Sequence, residues 1–97
     1  MTLDEIFRDV QALEEELSSY ERKYSVLSET FYESYMNGEE PADDAWVLDW
    51  NDWAGLYEIW LERRQQYTDL IRALKKQTPL SELIKRAAHR ESISLPS

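Results

Sequence analysis

Ninety-seven residues, 42% hydrophobic and 32% charged with a formal net charge of −9, bound one folded domain near the lower limit for a self-sufficient core. Two glycines and three prolines are too few for a sandwich or barrel, which needs a turn roughly every 8–12 residues. Having no cysteine excludes disulfide staples, thiolate chemistry and cysteine-based zinc or iron–sulfur sites.

The expected fold class is all-α, arranged as an antiparallel hairpin of two long helices (about 3–24 and 44–77) with two short ones (about 28–37 and 79–90). Residues 1–90 read as a single helical domain and 91–97 as a polar tail. The opening MTLDEIFRDV is acidic and lacks the basic and apolar regions of a signal peptide. No apolar run approaches the roughly 18–20 residues that cross a bilayer, so the expectation is a cytoplasmic protein without a membrane partner.

The first helix opens on Thr2 and Glu5, spaced as a capping box. Leu3, Ile6, Val10, Leu13, Leu17, Tyr20 and Tyr24 then recur at spacings of three and four, opposite a face of carboxylates. A break is expected at Ser25–Ser28. Ser28 is the candidate N-cap of a second helix that carries Phe31, Tyr32 and Tyr35 and stops at Gly38.

Asp43 or Asp44 is expected to cap the long third helix. Its stripe runs Trp46, Trp50, Trp53, Tyr57, Trp60, Tyr67, Ile71 and Leu74, with Arg64 in the odd slot, a coiled-coil-like seam. Paired antiparallel, the two seams would set Leu3 near Leu74, Val10 near Tyr67, Leu17 near Trp60, Tyr20 near Tyr57 and Tyr24 near Trp53. Arg64 would face Leu13, within reach of Glu14 or Glu16. Thr78 as N-cap and Pro79 at N1 then predict a fourth helix carrying Leu80, Leu83 and Ile84, which folds back near Ile71 and Leu74. Val47, Leu56, Leu61 and Leu70 flank the stripe and want a further neighbour, which pairing two hairpins into a dimeric four-helix bundle would supply.

Chemistry is thinly represented. Glu39, Glu40, Asp43, Asp44, Asp49 and Asp52 have neither calcium-loop nor di-iron spacing and read as caps and solvated faces. His89, the only histidine, has no nucleophile or carboxylate at a telling spacing. No catalytic, metal or cofactor site and no small-molecule substrate is expected. Charge is uneven: residues 1–62 hold 17 acids and 3 bases, residues 63–97 hold 3 acids and 8 bases. The acidic part repels nucleic acid and steers toward a basic protein surface. Lys75, Lys76, Lys85, Arg86 and Arg90 form the only candidate nucleic-acid patch, and in sequence it lacks interleaved aromatics.

Four tryptophans and six tyrosines are a heavy load of the residue types enriched in binding hot spots. The expected partner or dimer interface comprises Tyr32, Tyr35, Trp46, Val47, Trp50, Leu56, Leu61, Tyr67 and Leu70.

Lys23-Tyr24, Ser28, Phe31-Tyr32 with Tyr35 and Gly38, Asp43-Asp44, and Trp53-Ala54-Gly55-Leu56-Tyr57-Glu58 form a pattern over about residues 20–60. It is similar to that of small helical prokaryotic proteins encoded in toxin–antitoxin-like gene pairs, as the antitoxin-type or uncharacterised partner. This chain has Ser25 where that pattern carries glycine, and Asp52 where it carries glutamate. The resemblance implies a non-enzymatic interaction module that masks a basic protein. The alternatives are a homodimeric scaffolding bundle and a regulator touching nucleic acid through its basic C-terminal third.

Overall fold

A computed structural model describes residues 2–89, and every element among them is helical: α1 (Leu3–Tyr24), α2 (Ser28–Met36), a 3-10 turn (Asp44–Trp46), α3 (Val47–Lys75) and α4 (Leu80–Ala88). Arg90 and the expected tail over 91–97 lie outside the described residues. The all-α hairpin of long helices with two short ones is what the periodicity predicts. α1 keeps its expected bounds, and α3 is shorter than expected at both ends, where turns of other types replace it.

α1 starts as expected, with the Thr2 hydroxyl accepting the Glu5 N–H at 3.2 Å. It ends where Ser25 takes a left-handed conformation (φ 57) and the Val26 N–H reaches back to the Glu21 carbonyl at 3.3 Å. That is a Schellman-type stop, with serine in the position glycine favours.

The start of α2 corrects the sequence reading. Ser28 is not the N-cap; it lies inside the first turn, after Leu27, and is 3% exposed. Its N–H donates to the Glu21 carboxylate at 2.8 Å. An anion from the preceding helix thus satisfies a free N–H at the positive end of α2. The Ser28 hydroxyl is left to accept the Trp53 indole N–H.

α2 closes as expected at Gly38 (φ 87), with Glu39 N–H to Ser34 carbonyl and Gly38 N–H to Tyr35 carbonyl, both 3.1 Å. Asp43 acts as a cap, accepting from the Ala45 N–H at 2.9 Å, but the element it caps is the 3-10 turn, and α3 proper begins only at Val47. At the far end Thr78 and Pro79 are displaced by one position. Pro79 is the N-cap of α4, no side chain caps it, and the Pro79 carbonyl accepts from Glu82 and Leu83.

The chain divides into two compact units, one of residues 1–11 and 62–97, the other of residues 12–61. In the first, Ile6, Leu70, Leu74 and Leu83 form the core, with Leu3 and Tyr67 packed on it. α4 does fold back, and Leu83 is what it buries. In the second, Leu17, Phe31, Trp53, Ala54 and Tyr57 are buried beneath a shell of tyrosines and tryptophans. There α1 and α3 run antiparallel: Glu14 meets Trp60, Tyr20 meets Trp53 and Tyr24 meets Trp46.

The register differs in places from the sequence expectation. Tyr20 stacks on Trp53, one turn from the Tyr57 named for it. Tyr24 does stack on Trp53 as expected. Arg63, half-buried, pairs with Asp9 at 3.4 Å, and Arg64 is exposed.

Candidate interaction surface

In the unit of residues 12–61, the aromatic side chains assemble around Trp53, which is 1% exposed. Phe31 of α2 stacks on it with centroids 3.9 Å apart and planes at 1°. Tyr20 and Tyr24 of α1 stack on it at 5.8 and 5.7 Å. Trp50 sets its edge to Phe31 at 5.2 Å, and Tyr32 meets Tyr57 at 4.9 Å. Burial and ring contact of this density hold three helices in one arrangement.

The polar tips of these rings are directed mainly at carboxylates. Tyr24 donates to Asp49 at 2.6 Å, and Lys23 pairs with the same oxygen at 2.5 Å. Tyr32 donates to Glu58 at 2.9 Å, Tyr35 to the Asn51 side-chain oxygen at 3.2 Å, and the Trp60 indole to Glu14 at 3.3 Å. The Lys23 and Tyr24 hydrogen bonds hold Asp49 below the ordinary carboxylate pKa. Burial first, and Asp49 second, raise Tyr24 above the ordinary tyrosine value; the bond to Glu58 does the same for Tyr32. Burial, with Asp52 and Asp49 nearby, raises Tyr20. The Tyr20, Tyr24 and Tyr32 hydroxyls therefore stay protonated, and Asp49 stays charged.

The nine expected interface residues are divided between the two units. Tyr32, Tyr35, Trp46, Val47, Trp50, Leu56 and Leu61 belong to residues 12–61; Tyr67 and Leu70 belong to the other unit. Leu70 is corrected outright: at 3% exposure it is enclosed by its own chain, in the cluster with Ile6, Leu74 and Leu83. Tyr32, Tyr35, Trp50 and Leu56 are half-buried against the Trp53 core, and Trp46 lies edge-on to Tyr24. Val47 and Leu61 remain exposed.

Sequence reasoning missed Leu48, which is 76% exposed, along with Ile59, Leu27 and Met36. Leu48 and Ile59 fall outside the stripe of three and four. Their relation to Gly55, seven residues after one and four before the other, was the available signal.

The other unit carries a groove of about 400 Å³, lined by Tyr67, Thr68, Ile71, Arg72, Lys75 and Lys76. Tyr67 lines the same groove two helical turns before Lys75, so the basic segment shares a surface with an aromatic ring that linear reading overlooked.

Among the described residues no group of three or more His, Asp or Glu side chains could hold a metal ion, and no helix is long and apolar enough to cross a membrane. No protein-family model matches this chain, and neither curated proteins nor solved structures yield a match.

Proposed function

We propose that the chain is a non-enzymatic helical interaction module, antitoxin-like in character, that binds and masks a basic partner protein. One observation carries this reading. Residues 12–61 hold 13 acidic against 2 basic side chains, a formal charge of −11, whereas the other unit is at +2. Seven exposed apolar side chains, among them Leu27, Met36, Val47, Leu48 and Ile59, belong to that same acidic unit. Carboxylates steer the encounter and apolar groups anchor it.

The test is co-expression with the product of the adjacent gene. A 1:1 or higher-order complex whose affinity falls with salt supports the reading. Failure to recover that protein, together with no binding to any cationic protein at low salt, overturns it.

The groove of Tyr67, Arg72, Lys75 and Lys76 favours a second reading, contact with nucleic acid through the basic C-terminal third. It requires binding to DNA or RNA with a steep salt slope, lost on Lys75→Ala with Lys76→Ala. Homodimerisation into a four-helix bundle is a third reading. Sedimentation showing a strict monomer would end it.

A further inference from the structure

On the face of α3 that carries Leu48, Gly55 and Ile59 the two large apolar side chains are exposed and Gly55 is half-buried, an odd composition for an outward helix face. Leu48 is 76% and Ile59 46% exposed. Gly55 sits between them in a helix interior, where glycine costs roughly 0.5–1 kcal/mol relative to alanine. No internal packing accounts for that cost: a Cβ built at Gly55 would meet no atom within 4 Å. By helical spacing the stripe is bordered by Asp52 on one side and by Asn51 and Glu58 on the other. Asn51 and Glu58 accept the Tyr35 and Tyr32 hydroxyls of α2, so that border is held in place. The Asp52 side looks toward α1, where Asp52 and Asp49 act on Tyr20. α1 and α2 thus pack on α3 away from this face, which presents Gly55 between exposed Leu48 and Ile59 and is flanked by the carboxylates of Asp52 and Glu58.

We infer that this face is the docking site for one cationic amphipathic helix of a protein partner, crossing α3 at Gly55. A residue without a side chain lets two helix backbones approach closely, while Leu48 and Ile59 grip the crossing helix on both sides of the contact. Charge decides the occupant. A second copy would bring another −11 unit against this one, whereas a helix flanked by Lys and Arg would complement Asp52 and Glu58. The inference rests on the reading of a basic partner and adds where and in what form that partner binds.

The probe is a synthetic peptide of about five helical turns, Leu and Ala on one face and Lys on the other. A peptide of the same composition with the leucines scattered, and one with Glu for Lys, serve as controls. Binding to the full chain is followed by calorimetry at low and physiological salt. The amphipathic cationic peptide should bind best. Gly55→Leu, which fills the crossing point, and Leu48→Ser should each weaken it by about tenfold or more. Leucine is the better helix former, so Gly55→Leu should melt no lower than the parent and its effect cannot be assigned to unfolding.

Unchanged affinity in both variants overturns the docking site while leaving the acidic-surface reading standing. No binding of either cationic peptide at low salt overturns both. A concentration-dependent dimer of the parent chain that Gly55→Leu abolishes would make a second copy the occupant and overturn the inference.

Discussion

Trp50 and Trp53 lie one turn apart on α3 and make opposite use of the indole N–H. That of Trp53 donates to the buried Ser28 hydroxyl at 2.9 Å. That of Trp50 is buried with no hydrogen-bond partner. Leaving such a group unpaired costs about 1–3 kcal/mol, so Trp50→Phe should be neutral or up to about 1 kcal/mol stabilising despite the smaller ring. Trp53→Phe should cost about 1–3 kcal/mol for the stranded Ser28 hydroxyl, before any cavity is counted. Urea midpoints of the two variants check this, and a larger loss at Trp50 than at Trp53 would show that ring volume outweighs the hydrogen bond. Backbone conformation gives a second contrast. Ser25 (φ 57) and Gly38 (φ 87) occupy equivalent stop positions after α1 and α2. Ser25→Gly should therefore stabilise by about 0.5–1 kcal/mol, and Gly38→Ala should destabilise by about 1 kcal/mol although its Cβ would have open space.

At the scale of elements, the end of α1 is tied to the start of α3 through Asp49. Its folded pKa is lowered by Lys23 and Tyr24, so its stabilisation is present above the ordinary carboxylate value of about 3.9 and is lost as pH falls through the folded one. The Lys23 and Tyr24 pKa values are raised, so their share is present below about pH 10 and lost as pH rises beyond it. Asp49→Asn should consequently lower the urea midpoint at neutral pH, and the gap between variant and parent should close toward about pH 2–3. A gap independent of pH would show that packing, not charge, links the helices.

None of this tie was legible in the chain itself. The start of α1 and the stop at Gly38 are local events within three to six residues, and Thr2, Glu5 and Gly38 announced them. The start of α2 was misread because its N–H partner, Glu21, is seven residues back and across a turn. Spacing names one ring partner for each tyrosine of α1; that both Tyr20 and Tyr24 stack on Trp53 depends on ring placement that spacing does not fix. Leu70 was misplaced for a similar reason. Only once α4 folds back with Leu83 does a flank become core.

At the scale of the whole chain, the dominant fact is that 13 carboxylates and two cations share residues 12–61. Lys23–Asp49 is the ion pair among the described contacts of that unit that joins different helices, and Lys23 is largely exposed, so screening weakens it as well. Self-repulsion is thus set against one solvated pair, and repulsion should win. Raising sodium chloride from about 0.01 M to about 1 M shortens the screening length from about 30 Å to about 3 Å. The urea midpoint of the isolated chain should therefore rise over that range, and a fall would mean that ion pairs outweigh repulsion. Bound to a cationic protein, the same carboxylates act with the opposite sign, since added salt then screens an attraction. The two responses should cross: salt stabilises the free chain while loosening the complex. Charge-neutralising substitutions such as Asp52→Asn with Glu58→Gln should flatten both slopes together. If they flatten only the first, the acidic side chains of residues 12–61 repel one another but do not recruit the partner.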